Sequence, residues 1–328
     1  MHGNVRLSPR YATLLQPFAS ALSLCCILLS CQAGKTITLG HGWGGEGSSE
    51  EILPSIEVTV SNPSIIAELS DPKKDDNPTL TADELEICLT SKREGGLGGS
   101  DIWCAVRDSS ELPFGPLNSI TLLSTEGFDT SPALALDGLS LWFASRPDDE
   151  TANLDIFEST RDARESDWSE PRLVAELSSE LDDIPRPVAM NDRVMPLGSR
   201  RGDNGYQTYL SERATPEAPF GEPILIEELL FDDVEIVDAF LTEDGKLLLF
   251  SRVEGEEDSE DPADLYYAYR ETLGSPFSAP QPLLGANSSG DDRDPWLSGD
   301  GKRLYFSSNR SGDFEIYRAE VNIAARVQ

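Results

Sequence analysis

Carboxylates dominate the side chains that could do chemistry. The chain carries 59 Asp and Glu against 26 Lys and Arg, with 2 His and 5 Cys. Asp75, Asp76, Asp129, Asp182, Asp183, Asp238, Asp292 and Asp294 stand just ahead of recurring proline-marked segments, and Arg93, Arg146, Arg200, Arg252 and Arg310 follow the apolar segments after them. Carboxylates facing one cavity can act as the acid, base or nucleophile of glycoside hydrolysis. Carboxylates matched by arginines at every repeat are instead expected to be ion pairs that hold the repeats together. Histidine chemistry is scarce, because His41 in a Gly-rich stretch is the only one after the N-terminal leader. A zinc site or a Ser-His-Asp triad would depend on it.

Two further stretches interrupt the repetition. Glu254, Glu256, Glu257, Asp258, Glu260, Asp261 and Asp264 are dense in oxygen ligands, but they lack the fixed spacing and turn glycine of a calcium loop and read as a solvated insertion. Glu94 to Ser100 is Gly-rich without the Lys, Thr and following helix of a phosphate loop, and reads as a flexible hairpin.

The formal net charge is −33, and clustered Lys and Arg are absent, which argues against nucleic acid as a partner and suits a solvated acidic surface. Arg6 and Arg10 precede an apolar run ending Leu24-Cys25-Cys26-Ile27-Leu28-Leu29-Ser30-Cys31, so residues 1–30 are expected to be an export signal. Residues 31–62, with His41-Gly42-Trp43-Gly44-Gly45, suit a flexible tether. Cys88 and Cys104 fall on what read as adjacent strands of an exported chain. A disulfide between them depends on a register the sequence leaves open.

From Pro63 onward two markers repeat. Pro78, Pro132, Pro187, Ala239 and Pro295 recur at a period of about 54 residues, beyond the WD40 range and near the kelch one. Each precedes a turn and an apolar strand, as in Asp300-Gly301 between Pro295-Trp296-Leu297 and Leu304-Tyr305-Phe306, which reads as a two-residue hairpin with both turn residues at positive φ. The second marker is an outer strand opened by an aromatic and a proline: Phe114-Gly115-Pro116, Trp168 to Pro171, Phe220 to Pro223 and Phe277 to Pro280. Its fifth copy is Pro63 to Ser70, which matches Pro171 to Ser178. The expected fold is all-β, a five-bladed propeller over 63–328 with four-stranded antiparallel blades near 71–123, 124–178, 179–230, 231–287 and 288–321. Strand 63–70 would close it on the last blade, since radial packing covers faces that a lone sheet would expose.

Ser298-Gly299-Asp300-Gly301-Lys302-Arg303-Leu304-Tyr305-Phe306, followed by Glu315-Ile316-Tyr317, resembles the WD40-like (PD40) repeat of TolB-type β-propellers, a group that includes many bacterial lipoproteins. Leu28-Leu29-Ser30-Cys31 resembles a lipobox. The resemblance implies lipid attachment at Cys31 and sorting to the outer membrane. It further implies a non-catalytic propeller that binds an envelope protein or glycan, and it brings no catalytic residue, metal or cofactor. A monomer is expected. The alternatives are a propeller-type glycoside hydrolase and the sensor domain of a larger assembly.

Overall fold

A computed structural model of the chain describes residues 55–148, 152–202, 204–255 and 262–326. The first strand, β1 (Ser55–Ile65), is set aside by the chain for the last sheet. Blade 1 follows as β2 (Asp75–Leu80), β3 (Glu86–Ser91), β4 (Asp101–Val106) and β5 (Asn118–Ser119). Blade 2 is β6 (Phe128–Leu134), β7 (Ser140–Arg146), β8 (Asp155–Thr160) and β9 (Arg172–Leu173). Blade 3 is β10 (Asp183–Pro185), β11 (Val194–Ser199), β12 (Gln207–Glu212) and β13 (Ile224–Leu225). Blade 4 is β14 (Val234–Leu241), β15 (Leu247–Glu254), β16 (Asp264–Tyr269) and β17 (Gln281–Pro282). Blade 5 is β18 (Asp292–Leu297), β19 (Arg303–Ser308), β20 (Glu315–Arg326) and β1. Five antiparallel four-stranded sheets thus form a five-bladed β-propeller, closed by an N-terminal strand on the final blade.

That closing strand is longer than the sequence reading expected. Ile65 pairs with Tyr317 as Leu173 pairs with Phe157, so the repeat match holds in register. The chain then turns after Ile65, where Leu69 N–H donates to Ile66 C=O at 3.0 Å. In the other direction pairing runs from Ser64 back to Ser55, opposite Arg326, so residues 55–62, assigned above to the tether, belong to the sheet. The alternation Ile56-Glu57-Val58-Thr59-Val60 explains it: Val58 and Val60 are buried while their neighbours face outward.

The hairpin turns also differ from expectation. At Ser298 to Arg303 only Gly301 has positive φ, +69°. Asp300 instead accepts from Ser298 Oγ at 2.7 Å and from Lys302 N–H at 3.1 Å, an Asx-type turn. Thr242, Asp244 and Gly245 repeat this in blade 4, as do Thr81 and Asp83 in blade 1, where Glu84 takes the glycine's place at φ +58°. The Ser/Thr-x-Asp-Gly signature is therefore a turn, with the aspartate serving the backbone.

The core lies between blades. Leu80, Ile87 and Leu89 of blade 1 share one cluster with Trp296, Leu304, Tyr305 and Phe306 of blade 5 and Leu249 of blade 4. Cys88 and Cys104 lie directly opposite each other in β3 and β4, 4.1 Å apart at Cα, and are joined by a disulfide. Closing a loop of this length is worth about 3 kcal/mol. Cys88→Ala/Cys104→Ala should lower the urea midpoint accordingly, and an unchanged midpoint would contradict the bridge's contribution.

Candidate functional site

The side chains that break the repeat converge on the centre of the ring. Four inner strands carry a β-bulge, and at each bulge a non-glycine residue adopts positive φ: Asn77 (54°), Ser131 (51°), Asp238 (60°) and Asp294 (56°). A bulge re-aims its residue, and Asn and Asp tolerate this conformation better than other side chains. Blade 3 has Pro185-Arg186-Pro187 at the corresponding stretch, and Arg186 crosses to the carboxylates of two other blades. Its Nη2 donates to Asp238 Oδ1 of blade 4 and, at 2.6 Å, to Asp294 Oδ1 of blade 5. Asp294 also accepts from Asn77 N–H of blade 1 at 3.2 Å and from Ser307 Oγ. Thr90 and Thr130 then bond Asn77 Oδ1 at 3.2 and 3.4 Å, which brings blade 2 into the network.

This hub is buried: Arg186, Asp238 and Asp294 are exposed by 4%, 6% and 4%. Burial works to raise the Asp294 carboxyl, but Arg186 and Ser307 outweigh it and hold Asp294 below the ordinary range. For Asp238 burial wins over Arg186, and its carboxyl is pushed up to about 6 from an ordinary 3.8. A folded-state pKa above the unfolded one means that the folded chain binds the extra proton between those values. Stability should therefore fall as pH rises from about 4 through about 6. The melting temperature of the native chain should drop from pH 5 to pH 7.5 by more than that of Asp238→Asn. Equal pH slopes would refute the assignment.

Beside the hub, a cavity of about 230 Å³ opens between blades 1, 2 and 3 at the end where the inner strands begin. Lys74, Lys92 and Arg146 line it with Asp76, Asp182 and Thr130. Lys74 forms an ion pair with Asp76, whose carboxyl is raised by burial in spite of that partner. The cavity is a small polar recess with both signs of charge.

The expected arginine ring resolves into two strand positions. Arg93 and Arg310 reach Asp75 and Asp292 of their own blades, the first at 2.8 Å, and their Nε atoms bond Ser91 and Ser308 at 2.8 Å. In blade 3 this clamp belongs to Arg201, which pairs with Asp183 at 2.6 Å, and not to Arg200. Arg200 lies over Tyr206 and near Glu235. Arg146 packs on Phe128, leaving Asp129 to Ser145 and Thr125, and Arg252 stacks on Tyr266 beside Glu254. Ion pairing to the inner strand thus holds blades 1, 3 and 5 through Arg93, Arg201 and Arg310, while Arg146, Arg200 and Arg252 lie over aromatic rings.

A second arginine series escaped the sequence reading. Arg107, Arg161, Arg213 and Arg270 each donate Nε–H to a hairpin carbonyl at 2.6–2.7 Å. Each also lies over the aromatic that opens the next outer strand, Phe114, Trp168, Phe220 or Phe277, at 4.2–4.6 Å. The aromatics stand out in the sequence. Pairing each with the arginine several positions before it would have found the series.

Cys31 lies outside the described residues, as do positions 256–261 of the acidic insertion. The Gly-rich stretch 94–100 is stitched to blade 2: Gly99 N–H donates to Gly127 C=O at 2.7 Å, and a Cβ on Gly98 would lie 2.2 Å from that oxygen. Among the described residues no group of three His, Cys, Asp or Glu is placed to hold a metal ion.

These features define a five-bladed β-propeller whose inner strands are tied together by a buried ion-pair hub. The sequence matches no family model and no curated protein. Among solved structures the chain resembles TolB from Acinetobacter baumannii, with a TM-score of 0.50 and 16% identity, over 80% of this chain and 56% of that one. It also resembles an α-L-arabinofuranosidase from Lactobacillus brevis, with a TM-score of 0.51 and 11% identity, over 78% of this chain and 94% of that one. The chain therefore spans little more than half of that TolB. At such identities both likenesses show the fold alone.

Proposed function

We propose that the protein is a non-catalytic binding propeller, lipid-anchored through Cys31 at a bacterial cell envelope, that engages an envelope protein or glycan. The observation that carries this reading is the use of the central carboxylates. Glycoside hydrolysis needs two carboxylates facing one substrate cavity. Here Asp238 and Asp294 share a single buried guanidinium, and of the two carboxylates that line the small cavity Asp76 is bound to Lys74 while Asp182 accepts from Leu154 N–H and Tyr206 Oη. The lipobox-like Leu28-Leu29-Ser30-Cys31 supports the envelope address.

Crosslinking in the native envelope followed by mass spectrometry should recover a specific partner, and recovery of none would count against the scaffold. Cys31→Ser should move the protein from the membrane to the soluble fraction, because two acyl chains are what stable anchoring requires. Continued membrane retention would overturn the anchor.

A further inference from the structure

The blades differ at one cross-strand pair between the third and outer strands. Cys104 faces Asn118, Glu158 faces Arg172, Tyr267 faces Gln281 and Arg318 faces Ser64, so each pair has a polar member. In blade 3 the pair is Leu210 and Ile224, and Ile224 is 71% exposed. A cavity of about 490 Å³ opens there, toward blade 4. Leu210, Leu225, Ile226 and Phe277 give it an apolar floor. Glu212, Glu222 and Glu228 surround it with carboxylates, against the single cation Arg270.

The next junction round the ring shows how such a surface is covered. On blade 4, Tyr267 holds the register position of Leu210. Its hydroxyl accepts from Val58 N–H at 3.4 Å and donates to Ile56 C=O at 3.3 Å. Val60 N–H donates to Leu284 C=O at 2.8 Å, and Val58 and Val60 bury their side chains. An extended segment with alternate aliphatic residues thus fills the blade 4 groove. That segment can press its backbone close because residue 285 is glycine, where a Cβ would lie 2.0 Å from Val60 O. On blade 3 the corresponding residue is Glu228, so an occupant must reach in with side chains, and the surrounding carboxylates select cationic ones.

We propose that the groove between blades 3 and 4 docks a segment of a partner protein that lays an aliphatic side chain on Leu210 and Ile224 and sets a lysine or arginine among Glu212, Glu222 and Glu228. The inference rests on the binding-propeller reading and names the surface it uses. Apolar contact supplies affinity, and the carboxylates choose the partner.

The test uses the purified protein and a fluorescent capped peptide of alternating lysine and leucine, read by anisotropy. Ile224→Asp and the double variant Glu212→Lys/Glu228→Lys should each weaken binding by about tenfold or more. Gln281→Asp on blade 4 should leave it unchanged, and a lysine–serine peptide should bind no tighter to the native chain than to Ile224→Asp. Equal affinity of both peptides, or indifference to Ile224→Asp, would overturn the groove. A dimer in sedimentation that Ile224→Asp abolishes would assign the surface to a second copy and overturn the partner. If envelope crosslinking recovers a protein whose links avoid residues 210–228, the scaffold reading stands and the groove falls. If peptide binding follows the groove and envelope crosslinking recovers nothing, the groove stands and the scaffold reading falls.

Discussion

Arg186→Met should destabilise the propeller by about 3–5 kcal/mol, because it leaves Asp238 and Asp294 buried with no shared counter-charge. For a domain of this size that is a fall in melting temperature on the order of 10 °C. Adding Asp238→Asn and Asp294→Asn to the same chain should recover most of the loss, since the buried charges go with the cation that served them. A single variant as stable as the native protein would mean that the hub is solvated and not structural. Failure of the triple variant to recover would mean that Arg186 acts through packing and not through charge.

Removal of β1 should have the largest effect of all. A shortened chain beginning at Asp71 loses the outer strand of blade 5, the burial of Val58 and Val60, and the hydrogen bonds that tie Tyr267 and Leu284 of blade 4 to that strand. Two buried valines alone are worth about 3–6 kcal/mol, and an exposed β20 edge would invite aggregation. The shortened chain should lose its cooperative transition, or melt well below the full one. Val58→Asp/Val60→Asp should reproduce much of the loss with no residue removed. An unchanged melting curve for both variants would contradict closure through this strand. The seam has a second fastening, in which Arg303 Nη2 and Tyr305 Oη reach the Glu84 carboxylate of blade 1 at 2.6 and 2.8 Å, so the ring ends do not depend on β1 alone.

The blade plan was legible because its signals are local. Prolines cannot donate within a sheet, so Pro78, Pro132 and Pro295 sit at the bulges of their inner strands, each directly after the positive-φ residue, and their fixed period counts the blades. The spare outer strand was found by matching Pro63 to Ser70 with Pro171 to Ser178, and its pairing agrees with that match. Its N-terminal half is less legible, because the alternation of Ile56, Val58 and Val60 is short and lies beside a Gly-rich stretch. Arg201 and not its neighbour Arg200 holds the clamp, because side chains alternate along a strand and a shift of one residue changes the face. The centre was least legible. Contacts such as Arg186 to Asp294 join residues 108 positions apart, and which residues meet there depends on bulges that redirect single side chains. The clue was symmetry: an arginine between two prolines, at the stretch where other blades carry Asn, Ser or Asp.

Turnover tests the proposed binding without catalysis most directly. Purified protein incubated with α-L-arabinofuranosides and with envelope glycan fractions should release no reducing ends above the buffer control. Sustained release that disappears in Asp76→Asn, at one of the two carboxylates lining the open cavity, would contradict the account and make the protein an enzyme.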